Sequence, residues 1–385
     1  MIYADYNATA PLRPEARAAM VGALGSTANP SSVHGPGRGA RKRVETARGQ
    51  IGGAIGSRAE DIVFTSGGTE ANTLALHGAI AAHTGPVTLL VSAIEHEAVT
   101  QNAGTTGAPV RSVYARPDGR IDLDHLETML AGWDADVDGI PFLALMLVNN
   151  ETGVIQPVAE AAVLVRAAGG LTHCDAVQAL GKIPVNVALL GADYLALSAH
   201  KIGGPQGVGA LWHRAGAPLK PLQLGGGQER SIRSGTENVP GIAGFGAAAE
   251  AAVRDIASYG TLADLRDAME ARLVADAGIS VMGHAVERVA GTSCFALEGF
   301  RAETQVMAMD LAGIAVSSGA ACSSGKVKRS VVLSAMGVTD GLADAAIRLS
   351  FGWDSDPSDF DAVAEAWLKA ARRVRPTAQG SAGPS

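Results

Sequence analysis

The chain has 385 residues, 47% of them hydrophobic and 18% charged, with 48 glycines and a net charge of −7. That length exceeds the roughly 250 to 300 residues at which a single core usually stops growing, so two domains are expected. The composition excludes a fibrous or disordered chain, and the negative charge argues against a nucleic-acid binder, which would carry a basic footprint.

No apolar run approaches the roughly 18 residues that a bilayer span needs, so no membrane role is expected. Met1 leads straight into Ile2-Tyr3-Ala4-Asp5 without a basic, apolar leader, and a cytoplasmic protein is expected. The cysteines Cys174, Cys294 and Cys322 are odd in number and widely spaced. They support neither a disulfide framework nor a metal site.

The opening Asp5-Tyr6-Asn7-Ala8-Thr9-Ala10-Pro11 is polar and turn-forming, and Pro14 then sits at the first turn of a helix over Glu15–Leu24. A loop at Asn29–Gly35 leads into a basic helix through Arg38, Arg41, Lys42, Arg43 and Arg48. That run reads as a solvated helix face.

From Ile62-Val63-Phe64-Thr65 short apolar strands alternate with helices. The turn Ser66-Gly67-Gly68-Thr69 and the helix after it would present free N–H groups and the Thr69 hydroxyl to an anion such as phosphate. Further strands read as 87–92, 110–114, 142–148, 171–174, 194–198 and 208–213, the pattern of a mostly parallel sheet covered on both faces. Ligands of such sheets gather beyond the carboxyl ends of the strands.

Polar clusters stand at those ends: Glu95-His96-Glu97, Asn149-Asn150-Glu151-Thr152-Gly153, Asp175-Ala176-Val177-Gln178, and Ser198-Ala199-His200-Lys201 before Gly203-Gly204-Pro205. Taken singly, Asp175 reads as an N-cap and His96 as a satisfied histidine. Together and in this order they read as a site. A desolvated Lys201 would lose proton affinity and could bond an aldehyde cofactor, of which pyridoxal phosphate is the usual one. An Asp just past a strand could hold a pyridinium nitrogen protonated, making the ring an electron sink, and His96 could lie over the ring face.

Around Pro240 the pattern changes to Ala-rich helices, two of them over 241–277, which marks a domain boundary. Gly244-Phe245-Gly246 has no strand before it and reads as close helix packing rather than a dinucleotide fingerprint. The smaller domain carries strands near 293–297, 314–317 and 347–351. Its loop Ser317-Ser318-Gly319-Ala320-Ala321-Cys322-Ser323-Ser324-Gly325-Lys326 places a thiol beside Lys326, Lys328 and Arg329, which favours the thiolate. Cys174 and Cys294 fall in strand patterns and read as small buried hydrophobes. Pro376–Ser385 reads as a disordered tail.

On Tyr3–Thr9, Val148-Asn149-Asn150-Glu151-Thr152-Gly153, Ser198-Ala199-His200-Lys201, the Cys322 loop and Ile347-Arg348-Leu349-Ser350, the chain resembles cysteine desulfurases of the nitrogen-fixation and iron-sulfur-cluster type, in the class V aminotransferase group. The resemblance spans nearly the whole chain. It departs at Ala10, where a second Thr is frequent, and at Arg329, where Pro is often found. It implies an α/β, fold type I pyridoxal-phosphate transferase, with a large domain over 14–240 and a smaller α+β domain formed by 1–13 and 241–375.

In that resemblance Lys201 holds the cofactor covalently, Asp175 pairs with the pyridine nitrogen, Gln178 bonds the ring hydroxyl and His96 stacks on the ring. Gly68, Thr69, Ser198 and His200 face the phosphate, joined by Thr236 from a second subunit of a homodimer. Asn150, beside the cofactor, and Arg348 grip the substrate carboxylate. L-cysteine would become L-alanine as Cys322 takes the sulfur as a persulfide, with His96 assisting proton transfer and an acceptor such as an iron-sulfur scaffold receiving the sulfur. Selenocysteine lyases and other class V aminotransferases or lyases share the cofactor site; the long Cys322 loop favours sulfur.

Overall fold

The computed structural model describes residues 1–26, 28–319 and 329–374. Its strands, in chain order, are β1 (Ile2–Tyr3), β2 (Ile62–Thr65), β3 (Val87–Ser92), β4 (Val110–Val113), β5 (Ile140–Met146), β6 (Leu171–Asp175), β7 (Tyr194–Ser198), β8 (Gly209–His213), β9 (Ser280–Val281), β10 (Thr292–Ala296), β11 (Ile314–Ala315), β12 (Ser317–Ser318) and β13 (Ala346–Ser350).

A seven-stranded sheet runs β2-β8-β7-β6-β5-β3-β4. Only β8 opposes its neighbours; the other pairings shown within β7, β6, β5, β3 and β4 are parallel. Parallel strands covered on both faces must be apolar throughout, and β5 is buried from Pro141 to Met146. Alternate side chains serve opposite faces. Leu143, Leu145, Leu195 and Leu197 join one core, while Phe142, Ala144, Tyr194 and Ala196 join the other beneath helix Gly68–Ala82.

Strand β5 ends at Met146, two residues before the sequence pattern suggests. The Asn149 side chain accepts from the backbone of Glu151 and Thr152 at 3.0 and 2.9 Å, so local turn bonds replace the ladder there. Val148 pairs instead with Ile155 across the turn.

Beyond this sheet, β12-β13-β10-β9 form an antiparallel sheet, and β1 pairs with β11. Helices Leu262–Ala277 and Ala302–Leu311 pack against helix Pro357–Val374, which buries Phe360, Val363, Trp367 and Leu368. Residues 241–277 hold three helical segments rather than two. The chain breaks at Asp255, whose carboxylate takes Arg13 Nη1 at 2.6 Å, and again at Thr261.

Gly244 and Gly246 serve helix packing, as their spacing suggests. A Cβ at Gly246 would lie 2.6 Å from Ala47 Cα, and one at Gly244 2.6 Å from Met20 Cγ. Helix Val239–Arg254 therefore sits directly on helices Pro14–Leu24 and Gly35–Ala54.

The basic helix departs from its expectation at one residue. Arg38, Arg41 and Lys42 are exposed, whereas Arg48 is buried. Its guanidinium meets both oxygens of buried Glu229, at 2.6 and 2.8 Å. The partner lies 181 residues away, which helix periodicity does not reveal. Among the described residues no helix is long and apolar enough to cross a membrane.

Candidate active site

Lys201 follows β7 in a short 3-10 turn, Ala199–Lys201, and the chain then reverses at Gly203, where φ is +82°. A side chain rarely adopts that angle, so glycine is required after the lysine. Lys201 Nζ donates to the backbone carbonyls of Asn7 and Ala8, at 2.6 and 2.9 Å. It projects into a cavity of about 250 Å³ at the carboxyl ends of β5, β6 and β7.

Asp175 closes β6 with both carboxylate oxygens held. Oδ1 accepts from Val177 N at 2.9 Å, and Oδ2 from Asn72 Nδ2 at 2.8 Å. Asn72 Oδ1 in turn lies 2.7 Å from His173 Nε2. Burial lowers His173 to about 4, which keeps this ring neutral. One turn along, Gln178 Nε2 donates to Asn7 O at 2.8 Å.

Across the cavity lies the start of helix Gly68–Ala82, whose first N–H groups have no partner within the helix. A Cβ at Gly68 would come within 2.7 Å of Val177 Cγ2, so glycine keeps this corner open. Thr69, Ser198 and His200 line the same cavity. Burial, then the neighbouring charge of Lys201, lowers His200 to about 4, and its Nδ1 lies 3.1 Å from Thr9 Oγ1.

Arg348, on β13 of the second sheet, enters from the far side. One arm donates to Asn150 O at 3.0 Å and another to Asp5 Oδ1 at 2.8 Å. Its Nε is buried without a hydrogen-bond partner among the described residues. A buried guanidinium with an unused donor suits an anionic ligand. His96 caps helix Glu97–Ala103 by accepting from Ala98 N at 3.0 Å, and it too lines the cavity.

One cavity thus brings together Gly68, Thr69, His96, Asn150, Asp175, Gln178, Ser198, His200, Lys201 and Arg348. Thr236 does not join them: it is exposed and borders a separate pocket with Ser66, Gly207 and Asn238. Cys322 and the 376–385 tail lie outside the described residues. Cys174 and Cys294 are fully buried, and burial pushes both thiols up.

Sequence reasoning assigned no role to Asn7, Asn72, Glu95 or Lys182. Asn7 links the site: its carbonyl serves Lys201 and Gln178, and its amide donates to Asn150 O and Thr292 Oγ1, both at 3.1 Å. Its place in the polar opening turn was the one available signal. Glu95 Oε1 accepts from Met146 N at 2.5 Å, while Oε2 has no partner among the described residues. Burial first, then Asp175, pushes the Glu95 carboxyl well up.

The class-V aminotransferase family model matches residues 2–363. A cysteine desulfurase of Cereibacter sphaeroides is 41% identical over 371 residues, covering 94% of both chains. An IscS-like cysteine desulfurase of Mycobacterium tuberculosis is 35% identical and covers 100% of both. Among solved structures, a NifS-like protein from Rickettsia africae superposes with a TM-score of 0.86 at 33% identity, covering 96% of this chain and 99% of that one. The α/β architecture is the type I fold of pyridoxal-phosphate transferases. The chain belongs to the class-V aminotransferase family.

Proposed function

We propose that this protein is a cysteine desulfurase that converts L-cysteine to L-alanine and takes the sulfur onto Cys322 as a persulfide. One observation carries the reading: Lys201 lies in one cavity with a doubly held Asp175 and with Arg348, whose Nε has no partner among the described residues. Relatives named cysteine desulfurase, 35 to 41% identical over most of the chain, support it.

Pyridoxal phosphate is the cofactor, as in class-V aminotransferases. The residues present fit it, with an open helix N-terminus at Gly68 for a phosphate and a fixed carboxylate at Asp175 for a ring nitrogen. When bound, it supplies an electron sink that stabilises negative charge at the substrate carbon.

Lys201 would hold the cofactor through its amine, and its Nζ would move the substrate Cα proton. Asp175 would hold the ring nitrogen, Gln178 the ring hydroxyl and His96 the ring, with His96 assisting proton transfer. Gly68, Thr69, Ser198 and His200 would hold the phosphate, completed by Thr236 from a second subunit. Asn150 and Arg348 orient the substrate carboxylate. Sulfur transfer breaks the substrate Cβ–S bond, leaves its electron pair on carbon and forms an S–S bond to the Cys322 thiolate. One proton added at Cβ and one returned to Cα complete alanine.

The same reading makes the enzyme a cytoplasmic homodimer that passes sulfur to an acceptor such as an iron-sulfur scaffold. Its large domain spans 14–240, and its smaller one comprises 1–13 with 241–375. The test is to add L-cysteine and a thiol reductant to wild type and Cys322→Ala, and to assay sulfide and alanine together. Equal amounts from wild type alone are expected. Wild-type rates from Cys322→Ala would exclude that thiol as the sulfur acceptor.

A further inference from the structure

A second lysine lies behind the first. Lys182 is buried, and no salt bridge to a carboxylate is found for it among the described residues. Its Nζ donates instead to two side-chain amides, Asn7 Oδ1 and Gln178 Oε1, each at 2.6 Å. Burial first, then the charges of Lys201 and Arg348, pushes this amine well below the usual lysine range. Retaining a buried amine costs stability, which an apolar residue of similar volume would avoid.

Its partners suggest what the amine does. Even with one proton lost, a lysine amine keeps two N–H donors, one for each of two amides that turn an oxygen towards it. Asn7 and Gln178 both do so, and their NH2 groups consequently face the other way. Asn7 Nδ2 reaches Asn150 O and Thr292 Oγ1. Gln178 Nε2 reaches Asn7 O, which leaves its second N–H for the cavity that Gln178 lines. Without the lysine, Asn7 O alone would be left to hold the Gln178 amide in this orientation.

We infer that Lys182 is a positioning residue which fixes the amide of Gln178 with its N–H towards the cofactor's ring oxygen. The inference rests on the proposed role of Gln178 at that oxygen. Lys182 touches neither cofactor nor substrate in this assignment; it acts through Gln178.

Equilibrium dialysis of the full-length protein against pyridoxal phosphate, reading the retained cofactor by its absorbance, tests this on four proteins: wild type, Lys182→Met, Gln178→Ala and the double variant. Each single substitution is expected to weaken cofactor binding about tenfold, the loss of one charge-assisted hydrogen bond. The double variant should bind no more weakly than Gln178→Ala alone, because the lysine has nothing left to orient. Wild-type affinity in Lys182→Met, or penalties that multiply in the double variant, would overturn the inference. Wild-type affinity in Gln178→Ala would instead overturn the role given to Gln178. If Lys182→Met does not fold, Lys182→Gln replaces it with the same expected direction, since a glutamine no longer dictates the neighbouring amide.

Discussion

Ser330 Oγ donates a hydrogen bond of 2.5 Å to Glu151 Oε2, with both residues buried. Glu151 lies in the turn after β5, and Ser330 caps helix Val331–Ala335 by accepting from Leu333 N at 3.0 Å. The contact ties the rim of the large sheet to the element that follows residues 320–328.

The burial of Glu151 sets a pH dependence. Burial raises Glu151 from 4.5 to about 7, opposed by Ser330, Arg348 and His96. The folded state therefore binds a proton more tightly than the unfolded chain, and stability falls as pH rises from about 4.5 to about 7. Glu151→Gln keeps an acceptor for Ser330 and removes the titration. Urea unfolding should show the variant gaining on wild type by about 2.5 kcal/mol between pH 5 and pH 8. A gap independent of pH would show that Glu151 does not titrate there.

The Arg48–Glu229 pair holds an unusual backbone. Glu229, Arg230 and Ser231 have φ of +45°, +55° and +65°, a left-handed run costly for any residue but glycine. Glu229 also accepts from Phe64 N at 2.8 Å. Glu229→Ala strands a buried guanidinium and should cost about 3 to 5 kcal/mol in urea unfolding. Exposed Ser231→Gly relieves the backbone and should stabilise by about 1 kcal/mol. Destabilisation by the glycine would refute the strain.

Lys201→Ala should abolish turnover of L-cysteine and the visible absorbance of covalently held cofactor, while far-ultraviolet circular dichroism stays that of wild type. Residual turnover within tenfold of wild type would move the amine's role elsewhere.

Arg348→Lys keeps a charge but loses the planar fork. Steady-state kinetics should show kcat/KM for L-cysteine falling by about 100-fold, chiefly through KM. An unchanged KM would place the substrate carboxylate on other donors.

Much of the fold is legible locally. Mostly apolar runs of five to seven residues between turn signals mark β3, β5 and β7, because a strand buried on both faces has few polar positions to spare. Lys201 before Gly203, and the glycines at the start of helix Gly68–Ala82, are recognisable for the same reason: backbone geometry constrains residue type within a few positions. The short strands β1 and β9, of two residues each, were not, since so short a run carries no periodicity.

The meeting of distant polar groups was decided by tertiary structure alone. Asn7 reaches Lys182 across 175 residues, Arg348 reaches Asp5 across 343, and Arg48 finds Glu229 across 181. Local pattern reports whether a side chain suits a helix or strand. It does not report which donor will meet which acceptor once both are withdrawn from water, and burial is what turns Arg48 from a surface charge into half of a buried pair and Lys182 from a solvated cation into an amine bonded to two amides.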